Sequence, residues 1–276
     1  MLANLNDLLP RARKEGYAVG LFNTVNLEMA RGVLQAAEDI RSPVIIGTAE
    51  ILLPYASLWE LSHLLLPMAD KAAIPVAVHF DHGLTPEAID QAIRLGFTSV
   101  MYDCSTLPFE ENAARVAELV RRAHSLGVTV EAELGHVGTA DGDSPEAAYT
   151  DPQEALRFVQ LTEADAMAVA VGTAHGAYRQ APRLDFERLS RIASLVPTPL
   201  VLHGGSGLSE SDFKETIRRG IAKVNIFTDI NNAQAKCAHD RYFDGMGITD
   251  LMNDMTAAVR MEALKKMALF GSGGRC

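Results

Sequence analysis

The chain has 276 residues, of which 48% are hydrophobic and 22% are charged. This composition excludes a disordered chain, a collagen and a coiled coil, and it is typical of a folded globular protein. The 25 basic and 35 acidic residues give a net charge of −10. Such an acidic balance argues against binding to nucleic acid or to an anionic membrane surface, so we expect neither partner.

The cysteines and the N-terminus predict a cytoplasmic protein. The three cysteines, Cys104, Cys237 and Cys276, are odd in number and widely spaced. They do not form the framework of a disulfide-rich secreted domain, and a reducing compartment suits them better. The first residues lack the basic start and apolar run of a signal peptide. No apolar stretch reaches the roughly 18 residues that a membrane-spanning helix needs.

Eight short hydrophobic runs recur along the chain, and a helical segment follows each of them. The runs are nearly continuous rather than alternating, which is typical of parallel strands covered on both faces. In chain order the predicted strands are residues 18–22, 44–47, 76–80, 99–102, 128–133, 166–171, 200–203 and 222–226. An alternation of strands and helices over most of the chain predicts a parallel sheet.

Capping residues mark the helices between these runs. Thr85 and Pro86 begin one helix and Gly96 ends it, because threonine caps a helix, proline fits its first position and glycine ends it. Further helices are predicted at residues 110–125, from 151 onward, and at 185–195 and 209–219. Residues 231–268 add one or two more, residues 138–147 are expected to form a mobile loop, and the terminal GSGGRC is expected to fray.

Eight strand–helix units predict a (β/α)8 TIM barrel with extra C-terminal helices, folded as one domain over residues 1–276. A doubly wound open sheet is the alternative. That fold usually carries a Gly-x-Gly-x-x-Gly turn after its first strand. Here the first strand ends in Phe22, Asn23 and Thr24, without such a turn.

Histidines concentrate at the ends of the predicted strands, where a barrel places its chemistry. Five of the eight are found there: His79, His82, His136, His175 and His203. The other three, His63, His124 and His239, lie on predicted helices and are expected at the surface. A single histidine of this kind usually serves structure, but several at one rim beside carboxylates indicate a metal site.

His82, His175 and His203 form the best set of metal ligands. They follow three different strands, and three imidazoles with an open fourth position suit catalytic Zn²⁺. Magnesium would require mostly oxygen ligands. We expect His79 to pack or to orient another ligand, and we assign no role to His136. Neighbouring Asp81 is expected to exchange a proton with a bound hydroxyl, the alternative being that it orients a histidine.

A glycine cluster after the seventh strand predicts a phosphate site. Gly204, Gly205 and Gly207 would let backbone N–H groups close around an anion, and Ser206 adds a hydroxyl. The loops after the seventh and eighth strands hold phosphate in many such barrels. A tight turn without a ligand is the alternative. Asn23, at the end of the first strand, is also assigned to substrate binding.

Six ordered segments resemble one known family. They are HFDHG, MYDCS, VEAELG, VGTAHG, VLHGGSG and KVNIFT, in that order, within residues 15–230. Together they are similar to the class II, zinc-dependent fructose-bisphosphate and tagatose-bisphosphate aldolases, and most similar to the shorter, tagatose-type branch.

The resemblance implies a role for each matching position. The three histidines would hold zinc, and Asp81 would move the proton at the carbon where the bond breaks. Asp103 and Glu133 match acidic positions that line an alternative metal position. The positions matching those that hold the phosphate of dihydroxyacetone phosphate are Gly176, Gly204, Ser206, Asn225 and Thr228. A monovalent cation, Na⁺ or K⁺, and a homodimer or homotetramer are further expectations from the family.

The sequence departs from the family pattern in three places. The loop after the fifth strand offers Asp141 where the family usually carries a glutamate, so Asp141 is the candidate for the second proton transfer. Phe227 stands at a position that is often small or polar. The segment 245–251 lacks the Pro-Arg whose arginine reaches the distal phosphate in bisphosphate aldolases.

These features together predict a zinc aldolase that reversibly cleaves a ketose phosphate or bisphosphate to dihydroxyacetone phosphate and an aldehyde, which need not be a triose phosphate. Lys223 is the one lysine at a strand end, so a lysine Schiff-base mechanism is not dismissed by composition, although the histidines argue against it. The alternatives are another metal-dependent sugar-phosphate enzyme, such as an epimerase or hydrolase, and a non-catalytic sugar-phosphate-binding subunit.

Overall fold

A computed structural model describes residues 1–139, 149–176, 178 and 180–276. Its strands are β1 (Leu2–Ala3), β2 (Val19–Asn23), β3 (Val44–Ala49), β4 (Val76–Gly83), β5 (Ser99–Tyr102), β6 (Thr129–Leu134), β7 (Ala166–Val169), β8 (Leu200–Leu202) and β9 (Ile221–Ile226). Its helices are α1 (Leu5–Glu15), α2 (Leu27–Asp39), α3 (Leu58–Lys71), α4 (Pro86–Leu95), α5 (Phe109–His124), α6 (Pro152–Thr162), α7 (Phe186–Leu195), α8 (Glu210–Arg218), α9 (Thr228–Arg241) and α10 (Ile248–Phe270).

The eight strands β2 to β9 form a closed parallel barrel. Each pairs in parallel with its neighbours in chain order, and the first, β2, pairs with the last, β9. Closure confirms the TIM barrel and excludes the doubly wound open sheet. The predicted runs match these strands to within a few residues, and the fourth is identical. The short β1 pairs with the start of β4 outside this ring.

Helix caps lie where the sequence predicts them. The Thr85 side chain accepts a hydrogen bond from the backbone of α4, and Gly96 ends that helix in the left-handed conformation. Asp151, Asp185 and Ser209 cap α6, α7 and α8 in the same way. The two predicted C-terminal helices are α9 and α10, and α10 packs along α2 on the outside of the barrel. Among the described residues, no helix has the length and hydrophobicity to cross a membrane.

The inside of the barrel changes from apolar to charged along its axis. At the N-terminal end, residues such as Leu21, Ala77 and Val201 pack with α1, whose Leu5 amide bonds Thr129 at the start of β6. Strand side chains alternate between the two faces, so the same inward face continues toward the other end. There it carries polar groups such as His79, and the apolar layer forms the floor of the site.

Gly47 permits a close approach between β3 and β4. A methyl group at this position would lie 2.0 Å from the backbone oxygen of His79. Backbone oxygen cannot move aside without disturbing the strand that carries the candidate site. We expect Gly47→Ala to lower the free energy of unfolding by about 1–3 kcal/mol or more.

Chemical denaturation of the two alanine variants Gly47→Ala and Gly138→Ala tests this expectation. Gly138 is the matched control, because a methyl group there would meet no atom within 4 Å and its backbone does not require glycine. Its alanine variant should stay within about 0.5 kcal/mol of the wild type. Equal stabilities for both variants would show that β3 and β4 tolerate separation here.

The prediction of a frayed C-terminal tail is wrong. The Gly274 amide donates to the Ile40 carbonyl at 2.8 Å, and the Arg275 amide donates to the Arg41 carbonyl at 3.1 Å. Ser272 is fully buried, with its hydroxyl 2.7 Å from that of Ser42. A glycine-rich composition predicts fraying only where no partner is available. Here the end of α2 and the turn after it supply unpaired carbonyl groups.

Candidate active site

A backbone irregularity in β4 places two consecutive side chains at one site. Asp81 faces into the barrel, so His82 in a regular strand would point outward. His82 instead has a left-handed φ of +43°, and the pairing of β4 with β5 shifts register between Phe80 and Gly83. Such bulges re-aim side chains and occur beside active sites. The bulge therefore brings an imidazole next to the carboxylate.

The predicted histidine set meets at the C-terminal mouth of the barrel. The ring centroid of His82 lies 4.5 Å from that of His203 and 4.8 Å from that of His175. One ligand atom from each residue falls within 4.8 Å of the other two. Among the described residues, no hydrogen-bond partner satisfies the buried Nε2 atoms of His82 and His175 or the buried Nδ1 atom of His203, which has Glu133 Oε2 at 3.2 Å.

These three buried nitrogens fit a divalent metal ion. Buried polar atoms in proteins are nearly always hydrogen-bonded, and three neighbouring ring nitrogens without a hydrogen bond to any described residue are a costly arrangement without a ligand. A metal ion with nitrogen ligands would satisfy all three at once. The residues that the sequence singles out as ligands are thus brought together by the fold.

Carboxylates orient two of these histidines. Asp103 Oδ2 lies 2.7 Å from His82 Nδ1, and Glu131 Oε1 lies 2.9 Å from His203 Nε2. Burial alone would raise the pKa of Asp103, but hydrogen bonds from His82 and Ser105 outweigh it and hold the pKa well below its usual range. Ionised partners on the far nitrogens direct the remaining nitrogens toward the common point.

The third histidine is held by backbone. The His175 amide donates to the Gly138 carbonyl at 2.8 Å, and His175 forms an isolated bridge with Thr139. The loops that follow β6 and β7 therefore support each other beside the site. Burial first, and then the neighbouring His82 and His203, lower the pKa of His175 to about 3. Its imidazole is neutral at physiological pH, as a metal ligand must be.

Asp103 and Glu133 form a second group of possible ligands with His82, whose ligand atoms also lie within 4.8 Å of one another. Glu133 Oε2 is 3.2 Å from His203 Nδ1, and Glu133 Oε1 accepts a hydrogen bond from the Val137 amide at 2.9 Å. These two acidic residues, predicted to line an alternative metal position, are therefore adjacent to the histidine set. Their role as ligands stays a prediction.

Asp81 is 1% exposed and is held by two amide groups. Asn23 Nδ2 donates to its Oδ2 at 2.7 Å, and Asn225 Nδ2 donates to Oδ1 at 3.0 Å and to Oδ2 at 3.1 Å. Burial alone would raise the pKa of Asp81, but positive charge at the neighbouring His82, His203 and Lys223 outweighs it and holds the pKa well below its usual range. A metal ion held by neutral histidines would supply that positive charge in their place. Asp81 is therefore an ionised carboxylate in a fixed position beside the three histidines.

The predicted phosphate loop lies against the start of α9. Gly204 has a φ of +63°, and a methyl group there would lie 2.3 Å from the Ala174 carbonyl oxygen, so this turn requires glycine. Ser206 Oγ accepts hydrogen bonds from the Phe227 and Asp229 amides, both at 3.3 Å. Its hydroxyl hydrogen is then free to donate elsewhere. Because α9 begins at Thr228, an anion here would also face a helix N-terminus.

Four further residues are predicted from the sequence to belong to this site: Gly176, Asn23, Asn225 and Asp141. Gly176 follows His175 in the loop after β7 and has a left-handed φ of +98°. Asn23 and Asn225, assigned to the substrate, both direct their amides at Asp81. Asp141 lies outside the described residues. No structural observation tests the binding roles of these residues.

Sequence reasoning missed an ion pair beneath the site. Lys223 Nζ lies 2.8 Å from Glu131 Oε2, and both side chains are completely buried. An available signal was the alternation of strand faces, which puts Glu131 beside Glu133 and Lys223 beside Asn225 on one inward face. His79 is buried as expected, with Nδ1 2.7 Å from the Ser99 hydroxyl.

His136, to which the sequence assigns no role, is the last of four residues linked by hydrogen-bond contacts at the rim of the barrel. Its Nδ1 lies 2.9 Å from the Ser105 hydroxyl, which donates to Asp103 Oδ1 at 2.7 Å. Asp103 in turn contacts His82. A cavity of about 350 Å³ opens beside this chain, between the ends of β5 and β6, and Ser105, His136 and Tyr149 contribute to its lining.

Convergent histidines and a buried carboxylate at the mouth of a TIM barrel are the side chains that a metal-dependent enzyme of this fold uses. Comparison with known proteins agrees: residues 3–275 match the family described as fructose-bisphosphate aldolase class-II. The chain belongs to this family and is an aldolase, a lyase of carbon–carbon bonds.

Three relatives support the assignment along the whole chain. The chain is 41% identical to the Escherichia coli K12 protein YdjI, covering 100% of this chain and 99% of YdjI. It is 39% identical to a fructose-bisphosphate aldolase of Thermus caldophilus, covering all of both chains. It is 38% identical to a probable fructose-bisphosphate aldolase of Bacillus subtilis, covering 99% of each.

Solved structures agree with this assignment. The crystal structure of the YdjI aldolase superposes with a TM-score of 0.92 at 40% identity, covering 100% of this chain and 99% of that one. A putative fructose-1,6-bisphosphate aldolase from Coccidioides immitis gives a TM-score of 0.89 at 33% identity, with 98% and 96% covered. A fructose-bisphosphate aldolase from Campylobacter jejuni, 22% identical, shares the fold with a TM-score of 0.83, with 100% and 97% covered.

Proposed function

We propose that this chain is a zinc-dependent aldolase of the tagatose-type branch that reversibly cleaves a ketose 1-phosphate. The products are dihydroxyacetone phosphate and an aldehyde that is not a triose phosphate. The observation that carries the proposal is the set of three buried ring nitrogens, none hydrogen-bonded within the described part of the chain, beside the buried carboxylate of Asp81. This arrangement supplies a metal site and a proton acceptor within one cavity mouth.

His82, His175 and His203 would hold the zinc ion. Their nitrogen donors and the open side of the set favour zinc over magnesium, which prefers oxygen ligands. When bound, zinc supplies Lewis-acid stabilisation of the negative charge that develops on the substrate oxygens. The Asp103 and Glu131 carboxylates keep the imidazoles of His82 and His203 aimed at the same point.

Asp81 would take the proton from the substrate hydroxyl on the carbon whose bond breaks, and would return it in the direction of synthesis. Its two amide donors hold the carboxylate in place, and burial excludes competing water. The carbon–carbon bond then breaks with its electrons passing toward the carbonyl group, leaving an enediolate. Taking up one proton at carbon converts the enediolate to dihydroxyacetone phosphate, and Asp141, outside the described residues, stays the predicted donor. General acid–base catalysis of this kind contributes about 10²- to 10⁴-fold to rate.

The loop at residues 204–207 would bind the phosphate of dihydroxyacetone phosphate. Ser206, whose oxygen already accepts from the Phe227 and Asp229 amides, would donate its hydroxyl hydrogen, and the positive end of the α9 dipole would add attraction for the anion. The family resemblance also predicts a Na⁺ or K⁺ ion near this loop, which stays a prediction.

Replacing Ser206 with alanine should weaken phosphate binding more than it slows chemistry. A hydrogen bond to a charged group contributes about 1.5–3 kcal/mol, so we expect KM for the phosphorylated substrate to rise by roughly 10- to 100-fold. The kcat value should change little. Steady-state kinetics measure both values, and Ser194→Ala, on the exposed side of α7, is the matched control. An unchanged KM in the Ser206 variant would remove this hydroxyl from the binding site.

The segment at residues 245–251, which leads into α10 and forms its first turn, favours an aldehyde without a distal phosphate. Residues 245–251 contain no arginine or lysine, and their single charged side chain, Asp250, accepts a hydrogen bond from the Gly247 amide and caps α10. The usual bidentate arginine–phosphate contact is therefore missing from this segment.

A substrate screen tests this choice of aldehyde. Ketose 1-phosphates and ketose bisphosphates are supplied at equal concentrations, and released dihydroxyacetone phosphate is measured. We expect kcat/KM for a ketose 1-phosphate to exceed that for fructose- and tagatose-bisphosphate by at least about 10-fold, the loss of one charge-assisted contact. Faster turnover of either bisphosphate would show that another cationic side chain binds the distal phosphate.

We further propose that the enzyme is a cytoplasmic homodimer or homotetramer. Large apolar side chains near the start of α3 support association, because Ile51, Tyr55 and Trp59 are each more than half exposed. Light scattering of the purified protein measures the number of subunits directly.

A further inference from the structure

Lys223 occupies the centre of the polar layer inside the barrel. It lies in β9 and is completely buried, although lysine is almost never fully buried unless it is paired. Its ammonium group contacts Glu131 at 2.8 Å and donates to the Asn225 Oδ1 atom at 2.7 Å. Lys223 therefore contacts both Glu131, which lies against His203, and Asn225, which lies against Asp81.

The contact with Asn225 determines which way its side-chain amide faces. An ammonium group can only donate hydrogen bonds, so the oxygen of the amide must face Lys223. The NH2 group is thereby directed at Asp81, where it lies 3.0 Å and 3.1 Å from the two carboxylate oxygens. A reversed amide would place its oxygen against the carboxylate, which is repulsive.

The contact with Glu131 links Lys223 to His203, one of the three proposed metal ligands. One oxygen of Glu131 faces Lys223, and the other lies 2.9 Å from His203 Nε2. A proton on Nε2 leaves Nδ1 of His203 free for the metal point. The ammonium charge offsets the Glu131 carboxylate, which would otherwise be an uncompensated charge in a fully buried position.

The ammonium group also provides a positive charge beside a cluster of possible cation ligands. His79, Asp81 and Glu131 present ligand atoms within 4.8 Å of one another, a spacing that would suit a cation. Lys223 already supplies a fixed positive charge at this cluster. Unlike a metal ion, this charge is part of the chain and cannot dissociate.

We propose that Lys223 is a positioning residue of the aldolase, acting through Asn225 to hold Asp81 in its working geometry. The inference rests on the proposed role of Asp81 for its chemistry. The coupling between Lys223 and Asn225 is measurable whether or not Asp81 is the base, so the two proposals fail separately.

The test replaces the buried ion pair as a unit, Lys223→Met with Glu131→Gln, to avoid an unpaired buried charge. The glutamine oxygen can still accept the hydrogen bond from His203. We expect kcat to fall by about 100-fold, the usual cost of a misplaced catalytic group. KM should stay within about 3-fold of wild type, and the zinc dissociation constant should match that of Glu131→Gln alone, since both variants make the same change beside His203. Glu131→Gln alone is the comparison variant: it makes the same change beside His203 but keeps Lys223 against Asn225, so its kcat should exceed that of the ion-pair variant by about 10-fold.

A double-mutant cycle with Asn225→Ala separates positioning from a general structural effect. If lysine acts through Asn225, the combined variant should be no slower than either parent by more than about 3-fold. Independent effects would multiply, lowering kcat by about 10⁴-fold. Thermal unfolding and zinc content are measured on every variant.

Three results would overturn the proposal. The first is a folded ion-pair variant whose kcat is within about 3-fold of wild type, which is about the scatter of additive effects. The others are fully multiplicative effects on kcat in the double-mutant cycle, or an equal loss of kcat in Glu131→Gln alone. If the ion-pair variant does not fold, a crystal structure of the wild-type enzyme decides. Lys223 Nζ hydrogen-bonded to Asn225, with the amide on Asp81, supports the proposal, and an Asn225 side chain turned away from either group overturns it.

Discussion

Replacing His175 with alanine is expected to abolish tight zinc binding and carbon–carbon cleavage together. The purified variant should contain little zinc, and kcat should fall by about 1,000-fold or more, because the charge that develops on the substrate oxygens is no longer stabilised. His175 is the most direct choice among the three histidines. Its Nε2 atom is buried and has no hydrogen-bond partner, so its removal breaks no other described side-chain contact at that atom.

The matched control is His239→Ala, on the exposed surface of α9. It should keep full zinc content and full activity. Metal analysis and a retro-aldol assay on both variants complete the measurement, with zinc added back to the His175 variant. A metal-free wild-type preparation that retains activity would contradict the zinc role altogether.

Replacing Asp81 with asparagine is expected to stop proton transfer while leaving the metal site intact. The side chain keeps its size, but an amide cannot accept a proton from a hydroxyl. We expect kcat to fall by about 10²- to 10⁴-fold, the range of general acid–base catalysis. Zinc content should match wild type, because Asp81 does not belong to the histidine set.

Asp90→Asn is the control for this prediction. Asp90 forms an ion pair with Arg122 on the outside of the barrel, 2.9 Å apart, and exposed pairs of this kind contribute little. The opposite outcome, a zinc-loaded Asp81 variant with nearly wild-type turnover, would assign the proton transfer to another group. Loss of zinc together with activity would instead identify Asp81 as part of the metal site.

Much of the fold and the site could be predicted from residue patterns. Continuous apolar runs identify buried parallel strands, and threonine, proline and glycine mark where α4 begins and ends. The ends of parallel strands meet at one rim, so polar residues that follow separate strands must converge there. That rule was sufficient to select His82, His175 and His203, which lie far apart along the chain.

Three features could not be predicted because they depend on the position of the backbone. The period of two along β4 assigns Asp81 and His82 to opposite faces, and only the left-handed bulge brings both to the site. The direction of the Asn225 amide follows from its contact with Lys223. The sequence places Lys223 in a strand but does not identify its partners. The docked tail depends on carbonyl groups at the end of α2 that no local pattern reveals.

The amino-acid sequence by itself determined the barrel, the rim where its polar side chains converge and the residue types that could hold a metal, because hydrophobic periodicity and helix capping are local properties. The tertiary structure alone decided which nitrogen of each imidazole faces the common point, what holds Asp81, and that Lys223 is paired with Glu131. Hydrogen-bond direction and charge pairing depend on distances of a few ångströms between residues far apart in the chain, and only the packed fold sets those distances.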